Sequence, residues 1–169
     1  MLYLLDANTL ITAHNTYYAV NRVPEFWTWL AHHGAHGRIK MPIETFEEVK
    51  GETGNADKDK LFAHVQDRAF RDAIVLKEDV DIATVQDVLS KGYAADLDDA
   101  EIERIGRDPF LIAYVLAAGD RCVVSGEVSR PKAQRANRRV PDVCATLGAR
   151  CCNIVTLIRE LDFTTGWDS

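Results

Sequence analysis

Leu2-Tyr3-Leu4-Leu5 is the stretch that most constrains what this chain can fold into. A short apolar run without polar alternation reads as a strand buried on both faces, the pattern of a parallel sheet covered by helices. The run stops at Asp6-Ala7-Asn8-Thr9, and Leu10-Ile11 resumes the apolar pattern at once. A strand, a carboxylate and a helix start in that order put Asp6 at the carboxyl edge of a sheet, where open α/β folds build their sites. Asp, Asn and Thr are also good helix N-caps, so capping is the plain alternative for this group.

The rest of the chain alternates in the same way. Thr9 to Asn15 reads as a short helix. Pro24 suits a first helical turn, and Phe26, Trp27, Leu30 and Ala31 have helical spacing that Gly34 or Gly37 would end. Trp27 and Trp29 read as packing residues. His32, His33 and His36 crowd the end of that helix, where imidazoles suit its dipole, and no Cys or carboxylate stands at ligand spacing to them. Arg38 to Met41 is a strand candidate, and Pro42 opens a helix through Ile43, Phe46 and Val49. Gly51 to Asn55 breaks the pattern, after which Asp57 is placed to cap a helix through Leu61, Phe62, Val65 and Phe70. Ala73 to Leu76 is a further strand candidate. Ile82, Val85, Val88 and Leu89 mark a helix that Gly92 would end. Phe110 to Ala118 is apolar nearly all round and must be buried, and Cys122 to Ser125 repeats the strand pattern of the N-terminus. Pro141 to Leu147, Cys151 to Asn153 and Ile154 to Leu161 read as helix, strand and helix. No repeat, low-complexity tract or linker interrupts the series, so one α/β domain is expected.

With 169 residues, 47% of them hydrophobic, the chain can bury a sizeable core. No apolar run approaches the roughly 20 residues needed to cross a bilayer, and the N-terminus lacks a secretory pattern. The expectation is a soluble, cytoplasmic protein with no membrane partner. Cys122, Cys144, Cys151 and Cys152 lack C-x-x-C spacing and read as reduced, mostly buried small hydrophobes.

The net charge of −6 argues against bulk attraction to nucleic acid. That charge is unevenly placed. Glu78 to Asp108 holds ten acids against three bases, whereas Arg130, Lys132, Arg135, Arg138 and Arg139 fall within ten residues free of acid. Such a strip can hold a phosphate backbone or form a mobile, solvated loop. Glu44, Glu47 and Glu48 lie on the helix after Pro42 and, at about 100° per residue, cannot all face one point. Glu48, beside apolar Val49, is best placed to reach inward, with a solvated acidic face as the alternative. Asp108 precedes Pro109 at a helix start, so it either caps that helix or points into a cleft. Glu127 follows the second core strand as Asp6 follows the first.

Asp6 in Leu-Leu-Asp-Ala-Asn-Thr-Leu-Ile, Glu48 before Val49, Asp108 in Asp-Pro-Phe-Leu-Ile-Ala and Glu127 in Val-Val-Ser-Gly-Glu resemble the four acidic positions of PIN-domain nucleases. Many of those are toxins of prokaryotic toxin–antitoxin pairs. The order matches and the resemblance spans essentially the whole chain. Asn8 and Ser125 match polar positions that accompany the acids, while Glu127 stands where the family usually carries Asp. The Arg-Val-Pro-Asp-Val-Cys stretch is similar to that of a less studied PIN-like branch, in which Asp142 would be a fifth acid.

The resemblance implies a single three-layer PIN-like domain over residues 1–169, with a central, mostly parallel sheet flanked by helices. It also implies a Mg²⁺- or Mn²⁺-dependent ribonuclease. Hard oxygen donors suit those ions, and carboxylates gathered without a cation repel and raise one another's pKa. Two ions roughly 3.5–4 Å apart can serve an in-line displacement without a protein nucleophile. On this reading Asp6 and Asp108 are the main ligands and Glu48 is a ligand or water-orienting base. Glu127 serves a second site or an outer shell, and Asn8 and Ser125 orient carboxylates or water. The strip from Arg130 to Arg139 would steer RNA phosphates. A cognate antitoxin and a homodimer are the implied protein partners. A binding module without turnover and a phosphoesterase acting on DNA or small molecules are the alternatives.

Overall fold

The computed structural model describes residues 1–49 and 59–168. At its centre is a four-stranded, all-parallel sheet in the order β2-β1-β3-β4, with β1 at Leu2–Leu5, β2 at Ile39–Lys40, β3 at Arg121–Val124 and β4 at Cys151–Cys152. Helices cover both faces, which makes the α/β three-layer arrangement expected from the strand pattern. The two-residue period of β1 divides the core. Tyr3 and Leu5 join the cluster under α1 (Ala7–Thr16) and α2 (Pro24–Ala35), while Leu4 joins the cluster on the other face. β3 divides likewise, Cys122 and Val124 to the first face and Val123 to the second. Trp27 and Trp29 are buried in the first cluster.

The chain leaves β1 toward β2 on one side, while β3 pairs on the other side of β1. The carboxyl ends of β1 and β3 therefore flank the point where the strand order reverses, the crevice in which open α/β sheets bind ligands. Asp6 and Ser125 are the first residues beyond those two ends.

Several elements differ from the sequence expectation. The helix after Pro42 is only α3, Ile43–Phe46, so Glu48 lies in the turn beyond it. The helix start at Asp57 and the break at Gly51 to Asn55 lie outside the described residues. Beyond them are two helices, α4 (Lys60–Gln66) and α5 (Arg68–Ile74). Asp59 caps α4, and Asp67 breaks the run and caps α5 through the Phe70 N–H at 2.9 Å. That helix takes Ala73 and Ile74 away from the expected strand, leaving a single parallel bridge between Val75 and Met41. Gly92 does not end a helix either. α6 (Ile82–Asp87) runs on into a π-helix, Val88–Tyr93, that contains it. A Cβ on Gly92 would meet Val143 Cγ1 at 2.7 Å, so glycine is required there by close packing on α9 (Val140–Leu147). The acidic segment forms α7, Asp99–Ile105, begun by a capping box between Asp98 and Glu101. α8 (Asp108–Leu116) is buried along most of its length, and α10 (Ile154–Glu160) closes the described fold. Cys122 and Cys144 are buried, whereas Cys151 and Cys152 on the edge strand are half-buried, and all four are free.

Candidate active site

Asp6 is 3% exposed and accepts two hydrogen bonds. The Asn8 N–H donates to Oδ1 at 3.2 Å, and the Ser125 hydroxyl donates to Oδ2 at 2.9 Å. Ser125 Oγ in turn accepts the Glu127 N–H at 3.2 Å. Asp6 thus caps α1 and is also held by Ser125, just beyond the end of β3. Burial raises its pKa, against the lowering effect of Ser125 and the Asn8 N–H, and Glu127 adds repulsion.

Asp108 is the first residue of α8, yet Arg107 holds the N-cap position and no side chain among the described residues caps the helix. The capping alternative for Asp108 therefore fails. Among the described residues its carboxylate receives no hydrogen bond. Burial first, then Asp6, Glu127 and Glu48, raise its pKa from the ordinary 3.8 to about 8, opposed by Arg139. Desolvation by neighbouring atoms also raises Glu48, with repulsion from Asp6 added and Arg107 acting in the opposite sense. Gly106, held at φ 65°, brings the backbone just before α8 close to Glu48, since a Cβ there would stand 3.7 Å from Glu48 Oε1. Asp6 just beyond β1, Glu127 in the loop after β3 and Glu48 in the turn after α3 therefore each add repulsion at Asp108, at the start of α8.

Glu127 differs from the other three. Its Oε1 accepts from Arg139 Nη1 at 2.8 Å and its Oε2 from the Val140 N–H at 2.7 Å, so it is paired and also satisfies the start of α9. Asp142 is engaged by the loop that follows Glu127. It accepts from the Ser129 hydroxyl and from the Arg130 N–H, which pin the loop and hold its carboxyl below the usual range. Asp142, the fifth acid that the resemblance offered, thus has both oxygens engaged by its own loop.

The second half of the basic strip is tied to the body of the fold. Arg135 grips Glu101 with two hydrogen bonds, at 2.7 and 2.6 Å, and Asp96 at 2.6 Å. It does so with φ at 53°, a conformation costly for a residue with a side chain. Arg138 donates to the Gly92 and Asp142 carbonyls and to the Thr146 hydroxyl. Arg135 and Arg138 therefore hold structure together, and Arg138 also lines the hollow beside Asp108. Arg139 is engaged with Glu127. Arg130 and Lys132 are exposed, and their side chains make no hydrogen bond or ion pair among the described residues.

Two hollows flank the acids. One, of about 390 Å³, is lined by Asp108, Glu127, Tyr93 and Asn137 together with Arg104, Arg130, Arg138 and Arg139. The other, of about 470 Å³, is lined by Asn8, Glu44, Glu47, Glu48 and Arg107. The first is cationic on balance and the second anionic. Tyr93, Arg104 and Arg107 carry no sequence signal for a site. Only the adjacency of Arg107 to Asp108 hinted at one.

An all-oxygen donor set fits Mg²⁺ or Mn²⁺. Among the described residues, no three or more Asp, Glu, His or Cys side chains are gathered tightly enough to enclose a metal, the three histidines of α2 included. Mg²⁺ needs no such cage, because it takes one or two carboxylates and keeps several waters. Asp6 and Asp108, one oriented and one without a partner, are donors of that kind.

Among the described residues, no helix is long and apolar enough to cross a membrane. No curated protein and no solved structure matches the chain. Residues 3–165 match one family almost from end to end, and the chain belongs to that family, described as a domain of unknown function, DUF4411.

Proposed function

We propose that this protein is a Mg²⁺- or Mn²⁺-dependent ribonuclease related to the PIN-domain nucleases. The observation that carries the reading is the carboxyl of Asp108, which accepts no hydrogen bond among the described residues and is raised to about 8 by burial and three neighbouring acids, against the opposing Arg139. Such a site is unfavourable until cationic charge arrives. Asp6 and Asp108 would hold the cation, with Glu48 beside them. When bound, the cation supplies Lewis-acid stabilisation of the phosphoryl oxygens and an acidified water. Ser125 and the Asn8 N–H fix the direction of Asp6, which otherwise could rotate out of line. Glu48, raised above its ordinary range by desolvation and by Asp6, would be the group to take a proton from an attacking water. Arg107 stands on the same side and limits that rise.

On this reading the protein is a cytoplasmic toxin. A cognate antitoxin would cover the acidic hollow, with an Arg or Lys placed among Glu44, Glu47 and Glu48, and a homodimer is compatible with this arrangement. The pairing of Glu127 with Arg139 and the Val140 N–H favours a second reading, a binding module without turnover, since the fourth acid is already satisfied.

The test is incubation of mixed RNA and single-stranded DNA with wild type and Asp6→Asn, in EDTA, Mg²⁺ or Mn²⁺. Cleavage of RNA only with metal, reduced at least 100-fold in Asp6→Asn, is the expected result. RNA binding without cleavage in either metal would turn the conclusion to the binding module, and cleavage of DNA alone to a DNA phosphoesterase.

A further inference from the structure

The cationic hollow beside Asp108 has features that the carboxylate chemistry does not use. Tyr93 lines it from the last position of the π-helix, and π-helical turns recur at functional sites. The residue is 7% exposed, and its hydroxyl is buried without a hydrogen-bond partner among the described residues. A buried hydroxyl left unpaired is unfavourable and rare in folded proteins. Its position is fixed nonetheless. Arg138 ties the preceding carbonyl, Gly92 O, to the strip, and Gly92 packs tightly on α9. In the lining of the same hollow, Arg130 has no partner for its guanidinium among the described residues, and there Arg104 makes only a long contact, 3.5 Å, to Asn137 Oδ1. Arg139 uses one nitrogen for Glu127. Four guanidiniums against two carboxylates leave the hollow cationic.

Its volume of about 390 Å³ lies at the small end of ligand sites, which run from about 300 to 1,000 Å³. That is room for one nucleotide and not for a duplex. We propose that this hollow is a binding pocket for a single nucleotide of a single-stranded nucleic acid, in which Arg104 and Arg130 meet the phosphate and the Tyr93 hydroxyl hydrogen-bonds the nucleotide. The ligand's identity rests on the nuclease reading, whereas the pocket and its unpaired donors do not. The pocket would bring the phosphate adjoining that nucleotide beside Asp108, and it selects unpaired strands because a base within a helix cannot enter it.

The experiment is calorimetric titration of the full-length protein in EDTA with uridine 5′-monophosphate, adenosine 5′-monophosphate and inorganic phosphate, using wild type, Tyr93→Phe and Arg130→Ala. One nucleotide should bind per chain, at least tenfold more tightly than phosphate. Arg130→Ala should raise Kd about tenfold and Tyr93→Phe about three- to tenfold. Absence of nucleotide binding, equal binding of phosphate, or binding indifferent to both substitutions would overturn the pocket. Arg130 is exposed, and Tyr93→Phe keeps the ring, so both variants should fold, which circular dichroism checks. Metal-dependent cleavage measured on the same preparations separates the two proposals. Nucleotide binding without cleavage keeps the pocket and removes the nuclease, whereas cleavage without nucleotide binding does the reverse.

Discussion

At the scale of single residues, Asp108 and Asp6 show how similar groups acquire different work. Asp6 is buried yet held by a hydroxyl and an N–H, whereas Asp108 is crowded by acids and held by nothing among the described residues. Because the folded pKa of Asp108 lies above its unfolded value, folding takes up a proton between about pH 4 and 8, and stability falls as pH rises through that window. Asp6 and Glu48, also raised, act in the same direction. Asp108→Asn removes the largest of these penalties. In EDTA it should raise Tm by about 5 °C or more at pH 8 relative to wild type, and by little at pH 4, as differential scanning calorimetry would read. An equal gain at both pH values would mean that the carboxyl is not raised.

At the scale of elements, the π-helix and the strip from Arg130 to Arg139 form one unit. Arg138 bonds to Gly92 O, Arg135 joins the strip to α7, and Glu127 bonds to the start of α9. These contacts set one wall of the cationic hollow. Gly92→Ala places a methyl 2.7 Å from Val143 Cγ1, so the π-helix and α9 must separate. The expected cost is about 1–3 kcal/mol in urea unfolding. Gly119→Ala, where a Cβ meets nothing within 4 Å, is the control and should cost less than about 0.5 kcal/mol. Equal effects at the two glycines would show that α9 yields without strain.

For the whole molecule, strand order matters more than any one contact. With β1 between β2 and β3, the carboxyl ends of β1 and β3 open onto one crevice, and α8 brings Asp108 to it. A cation bound only by the folded state stabilises it according to its concentration over Kd. On the proposed function, Mg²⁺ or Mn²⁺ at about 100 times Kd should add about 2.7 kcal/mol. That corresponds to a Tm increase of roughly 5–10 °C for a chain of this size. The gain should be larger at pH 8 than at pH 5, where Asp108 is protonated, and should be lost in Asp6→Asn. An undiminished increase in Asp6→Asn would place the cation elsewhere.

The sequence by itself determined the layers and the positions of Asp6 and Asp108, because both rest on local signals: an apolar run ending in a carboxylate, and a carboxylate before Pro109 at the mouth of a buried helix. Hydrophobic period decides burial within a few residues, so it can be read along the chain. It missed the π-helix, since Gly92 reads as a stop until α9 is known to pack against it. Nor could it tell that Arg135 and Arg138 are spent on structure, that Asp142 serves its own loop, or that Glu127 is paired with Arg139. The tertiary structure decided those points. Whether a charge is free or neutralised depends on which group lies within about 3 Å, and Arg135 meets Glu101 34 positions away in sequence.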